Sequence, residues 1–329
     1  MILPSRVLSP HHVVLVTYGE PPFPDFGQQL IYSWRILLGL TRSVAPIPMA
    51  WLPVIALARA RRRSRTWRDE GYRSPLEAIT VRQAARLGQS LATGRADRWS
   101  VHVGYEFRHP LLPEVLGALP PDQPAWVLPM YATESAFTHA LSRVVVANLR
   151  KPRVAPVHVV PALDPGRLAD ASARHVLDHV AAQAEWCGPE VALVLAAHGT
   201  VLDPPRPIDT GFDATDYLCR AIRSRLAPHF GLVVSGWLNH TRGGRWTEPP
   251  IDETLRKVVG AGFGRVVYYP YGFLADSAET ELEGMMALRG RRELQSLRVP
   301  CLNDSPLLAD LLADRLLTRA YLDAVREPA

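Results

Sequence analysis

Cysteine is scarce in this 329-residue chain: Cys187, Cys219 and Cys301 stand far apart, and no CxxC pair occurs. An odd, dispersed set argues against a disulfide framework or a zinc ribbon and fits a reducing compartment. It offers no four-thiolate group, so no iron–sulfur cluster is expected. Lysine is almost missing as well, with Lys151 and Lys257 standing among many arginines. No run of about 18 uncharged apolar residues is present, which argues against a membrane-spanning helix. The first residues run straight into an apolar strand without a long h-region before a cleavage site. No signal peptide is therefore expected, and a cytoplasmic location is. No GxGxxG follows a strand, and neither GxxxxGKS/T nor GxSxG occurs, so no nucleotide cofactor and no serine hydrolase is indicated.

What is present is a globular composition, 47% hydrophobic and 21% charged, enough for a sizeable core. The formal charge of +5 favours an anionic partner. With no nucleic-acid motif, a carboxylate-bearing small molecule or a phospholipid surface leads. Short apolar runs at 11–19, 101–107, 124–131 and 156–163 read as buried strands, and 74–93 has helical apolar spacing. The scheme then repeats, with strands at 191–199, 231–238 and 264–273, a helix over 251–263 and an amphipathic helix over 305–325. Alternating strands and helices predict an α/β fold with parallel sheets covered on both faces. VLVTYG and LVLAAHG are similar first strands, and VLPMY and YYPYGF similar later ones, which suggests two related halves. The boundary is expected near 165, giving domains 1–165 and 166–329, with the last helix packing back on the first half. Ligands of such sheets bind beyond the carboxyl ends of the strands. That is where Tyr18, Met130, Tyr131 and His198 fall.

His198 ends a strand just before Gly199, a position for contacting a ligand or for shaping the turn. Glu279 and Glu283 are four apart and share a helix face, with Asp276 three residues earlier as a cap or a further member. Two carboxylates on one face make a track for a hard cation, or merely a solvated helix start. An imidazole with a carboxylate suits Fe(II), Co(II) or Zn(II). Residues 29–68 carry apolar blocks broken by Pro46, Pro48 and Pro53, leading into the basic run 59–65. This reads as a lip over a cleft that meets anionic lipid, or as a helical hairpin with a solvated basic end.

At these residues the chain resembles the ferrochelatase family of class II chelatases, in order and over nearly its whole length. VLVTYGEPP, SPLEAITVRQ, WVLPMYATES, LAAHGT and PCLND each match a family element, and the stretch from Arg245 to Thr280 is the most specific. The resemblance implies two Rossmann-like domains, each a four-stranded parallel sheet flanked by helices. It implies His198 and Glu279 as the catalytic, metal-handling pair, Glu283 as a further acidic step, and Tyr18, Met130, Tyr131, Trp237 and Trp246 as porphyrin-lining residues. Fe(II) is then a substrate and no organic cofactor is needed. The apolar lip favours protoporphyrin IX over coproporphyrin III. A non-catalytic porphyrin carrier, or a chelatase for another metal or tetrapyrrole, stays open. The sequence departs from the family at Ser277, where histidine is frequent, at Glu134 in YATES, and at Ala287, beyond Glu283. His240 with Arg242 or Arg245 is a further candidate for a propionate contact.

Overall fold

The computed structural model describes residues 11–43, 48–93, 99–150, 153–239 and 244–326. In chain order they form β1 (His11–Thr17), α1 (Phe26–Ser43), α2 (Leu52–Asp69), α3 (Leu76–Ala92), β2 (Trp99–Tyr105), α4 (Leu112–Ala118), β3 (Ala125–Pro129), α5 (His139–Ala147) and β4 (Val157–Val159). There follow α6 (Pro165–Ala181), β5 (Gly188–His198), α7 (Phe212–Leu226), β6 (Phe230–Leu238), α8 (Ile251–Gly260) and β7 (Arg265–Tyr269). A π-helical turn (Ala278–Glu283), α9 (Gly284–Arg289), β8 (Gln295–Arg298) and α10 (Pro306–Arg326) complete the chain.

The strands make two four-stranded parallel sheets, ordered β2-β1-β3-β4 and β6-β5-β7-β8. The order is the same in both, so the two halves share one topology. In each, the first strand lies inside the sheet and is covered on both faces. That is why Val13 to Val16 and Val191 to Ala197 are uninterrupted apolar runs without a polar alternate. β8 was missed by the strand reading because QSLR has no apolar run; it is an edge strand with an exposed start.

One apolar core runs between the sheets. It joins Leu15, Leu87 and Leu128 of the first half to Val176, Leu193, Leu218 and Leu316 of α6, β5, α7 and α10. α6 begins at Pro165 with Asp164 accepting from the Arg167 amide at 2.9 Å, so the connection between the halves is a capped helix. α10 packs on α3, with Ser90 donating to Asp310 at 3.1 Å.

Residues 29–68 fold mostly into α1 and α2, which pack on each other as a helical hairpin. Pro53 sits in the first turn of α2, where its missing amide costs nothing. Pro46 lies outside the described residues. The ring of Trp67 joins Ala278 and Leu282, so α2 is packed onto the acidic π turn.

Candidate active site: a two-walled cleft

The carboxyl ends of both sheets open on one cavity of about 1320 Å³. This exceeds the range of about 300–1,000 Å³ typical of drug-sized ligands and leaves room for a larger one. β5 delivers His198 to it, and β6 delivers Asn239. The π turn supplies Glu279 and Glu283, and α2 supplies Arg59, Arg62 and Arg63.

The His198 Nδ1–H donates to the Gly199 carbonyl at 2.5 Å, which leaves the Nε2 lone pair free to accept. Nε2 takes a hydrogen bond from the Asn239 amide at 3.0 Å and faces Glu279 Oε1 at 3.8 Å. Asn239 sits at φ 54°, in the left-handed region that asparagine tolerates. The His198 side chain is about half exposed, but to the cavity that it lines. Its pKa is lowered by desolvation there, so the ring is neutral near pH 7. Glu279 Oε1 is buried and has no hydrogen-bond partner among the described residues. Desolvation first, and then the carboxylate of Glu20, pushes Glu279 up to about 8. Desolvation, then Glu279, pushes Glu283 up to about 7. The facing pair is thus a neutral imidazole and a protonated acid, not a standing ion pair.

The close approach of two loops fixes this geometry. A Cβ on Gly272 would lie 2.7 Å from the Ala197 Cβ, so only glycine lets the loop after β7 pack on the end of β5. Ser277 N–H donates to Thr280 Oγ1 at 2.9 Å, closing the start of the π turn. π turns are frequent at functional sites, because the wide turn re-aims side chains.

Several expected residues fall where the cleft needs them. Tyr18, Tyr131, Trp237 and Trp246 all line the cavity. Met130 does not: it is buried in the apolar core, because neighbouring residues at a strand end face opposite sides and Tyr131 takes the cleft side. Asp276 does not join Glu279 either. Its carboxylate is held by Arg298, by the Asn303 amide at 2.8 Å and by the Cys301 N–H at 3.2 Å, which ties the loop to the sheet. Glu134 is drawn off to Arg143 at 2.6 Å and the Ala162 N–H at 3.0 Å. Ala287 packs with the apolar cluster under α9 rather than extending the acidic track. Arg245 pairs with Asp203 at 3.1 Å; His240 and Arg242 lie outside the described residues.

Glu20, Glu106 and Asn239 were not singled out from the sequence. Glu20 is buried and accepts from the Ser74 hydroxyl, the Ala278 N–H at 2.9 Å and Arg63 at 3.2 Å. It ties the first strand, the lip and the π turn together. A glutamate directly after the strand-ending Tyr18–Gly19 was the available signal.

The model of the family described as Ferrochelatase matches residues 11–320. The chain belongs to the ferrochelatase family. It is 31% identical to the ferrochelatase of Azoarcus sp. over 94% of this chain and 87% of that one. It is 28% identical to that of Cyanothece sp., over 86% and 73%. The fold is shared with SirB from Bacillus subtilis (TM-score 0.54, 10% identity, 96% of this chain and 98% of that one). It is also shared with CbiX, the terminal enzyme of sirohaem biosynthesis in denitrifying bacteria (TM-score 0.50, 15% identity, 94% and 98%). The family's reaction is metal insertion into a porphyrin to make haem, which makes this ferrochelatase-family chain a lyase.

Proposed function

We propose that this protein inserts Fe(II) into protoporphyrin IX in preference to coproporphyrin III, with His198 and Glu279 as the reacting pair. The observation that carries the reading is His198 Nε2, held by the Asn239 amide, lying 3.8 Å from a buried, unpartnered carboxyl on one wall of a macrocycle-sized cavity. Insertion must remove two pyrrole protons while placing a divalent ion. A neutral imidazole takes a proton or ligates the ion directly. A carboxyl that holds its own proton near pH 7 releases it when a cation arrives, because the ion's charge favours the carboxylate. Glu283, one turn on, receives that proton and passes it to the open cavity, so that His198 takes one pyrrole proton and the ionised Glu279 the other. Among the described residues no cluster of three or more His, Cys, Asp or Glu side chains is gathered as a metal cage. A two-donor site suits an ion that has to leave again.

Macrocycle recognition falls to Tyr18, Tyr131, Trp237 and Trp246, with the α1–α2 hairpin as the lip. The hairpin exposes Met49, Trp51 and Val54, and Arg61 and Arg65 are exposed two and three turns further along α2. This fits peripheral contact with an anionic bilayer. No described helix is long and apolar enough to cross one. Co-sedimentation with anionic liposomes, lost in W51E/V54E, checks that contact.

The decisive assay is anaerobic incubation with Fe(II) or Zn(II) and either porphyrin, following loss of free-base fluorescence. Turnover by wild type that disappears in His198→Ala and Glu279→Gln supports the reading. Tight porphyrin binding without insertion by wild type would instead mark a carrier.

A further inference from the structure

Glu106 follows the end of β2 on the first half's wall of the cavity. Its Oε2 accepts from the Tyr131 hydroxyl at 2.7 Å. Its Oε1 is buried without a hydrogen-bond partner among the described residues. Both side chains line the cavity beside Phe107, Phe137 and Leu141. Arg63 and Arg59 of α2 act on the other wall, where they oppose in part the raising of Glu279 and Glu283. The groups that act on Glu106 are the uncharged Tyr131 and Ser142, and desolvation outweighs them, pushing its carboxyl up to about 8. A ligand carboxylate placed here meets the same desolvation; among the described residues no charged group acts on Glu106, and Arg35 is already engaged, donating to the Phe107 carbonyl at 3.2 Å and to His109 at 2.7 Å. Once Glu106 ionises, it meets a like charge as well.

We propose that Glu106 and Tyr131 form a specificity-determining subsite that admits an uncharged edge of the macrocycle and rejects a carboxylate-bearing one, turning the propionates toward Arg59 and Arg62. The proposal rests on the porphyrin reading above and deepens it, by naming what tells a two-propionate macrocycle from a four-propionate one. Selectivity against a wrong ligand is commonly built from an unfavourable contact of this kind. The titratable groups around the pair are Tyr18 beyond β1, Tyr32 on α1, Tyr131 beyond β3 and His139 on α5. Burial raises all three phenols and pushes His139 down to about 4, so these stay neutral between pH 7 and 9. Glu106 is the member of this group that gains charge across that interval.

The test measures dissociation constants of metal-free protoporphyrin IX and coproporphyrin III by tryptophan quenching of the full chain at pH 7 and pH 9. Wild type is expected to favour protoporphyrin about tenfold at pH 7 and more strongly at pH 9. Glu106→Gln keeps an acceptor for Tyr131 but cannot ionise, so its ratio changes less with pH than that of wild type, the remainder coming from Glu279 and Glu283, which ionise over the same interval in the same cavity. Glu106→Arg lowers the ratio about tenfold. Equal affinities in wild type, or the same ratio at pH 9 in wild type and Glu106→Gln, would overturn the subsite. If the arginine variant does not fold, the glutamine variant decides alone. Wild type that binds neither porphyrin would remove the porphyrin reading itself, an outcome distinct from binding without discrimination.

Discussion

The two walls of the cleft are built on the same plan and do different chemistry. β1 ends at Thr17 and is followed by Tyr18-Gly19, and β5 ends at His198 and is followed by Gly199, each as the second strand of an identically ordered sheet. On the first wall the strand end carries a phenol that burial, then the Glu20 carboxylate, keep protonated. On the second it carries an imidazole whose Nε2 lies 3.8 Å from an acid. One topology therefore supplies two equivalent platforms. In the proposed reading, the residue placed on each decides which platform grips the macrocycle and which handles protons and the ion.

The sharpest way to break this comparison is to disable one wall at a time. His198→Ala or Glu279→Gln should lower metal insertion by about 10²–10⁴-fold, the range for a positioned proton-transfer group. Porphyrin affinity, measured by fluorescence quenching, should change little. If both variants turn over normally, the second wall is not the reacting one. Tyr18→Phe should do the opposite, weakening porphyrin binding while insertion from the bound state holds.

Packing of the second wall gives the next largest effect. Gly272→Ala forces a Cβ onto Ala197, which should cost about 1–3 kcal/mol of stability and lower Tm. Insertion should fall with it, because the end of β5 moves. An unchanged Tm would show that the loop relaxes freely. Asn239→Ala removes the donor to His198 Nε2, and an effect of about tenfold on kcat is expected, typical of one lost hydrogen bond to a reacting group.

The last effect concerns the first wall and proton linkage. Glu106 is raised to about 8 when folded, against about 4.5 unfolded, so the native chain binds this proton more tightly. Its stability at low pH is therefore lost progressively as pH rises from about 4.5 to about 8. Glu106→Gln should show a shallower fall of Tm over that window. Identical profiles for wild type and variant would place the carboxyl in a more solvated setting.

Much of this was legible early. The α/β alternation, α3, α8 and α10 follow from apolar spacing, and the central strands from runs too apolar to be half-exposed. The basic end of the hairpin was visible as charge, but not that Arg59 and Arg63 turn into the cleft. Met130 shows the limit of resolution. Beside Tyr131 at a strand end it looked equally available, and which of the two faces the cleft depends on the pleat. Asp276 shows another. Three residues before Glu279, it looked like part of the acidic track until β8 brought Arg298 beside it.

The sequence alone determined the period of the elements, the positions of chemistry-bearing residues at strand ends, and the spacing of Glu279 and Glu283. These are local properties, set by side-chain volume, polarity and backbone preference over a few residues. The tertiary structure decided the company each residue keeps. Glu20 reaches the Ala278 amide across 258 positions, and the Tyr131 hydroxyl finds Glu106 across 25. Whether Glu279 holds a proton depends on burial and on Glu20, Arg63 and Arg59, all supplied by the other half. Desolvation is a property of the assembled cleft, and no stretch of chain carries it by itself.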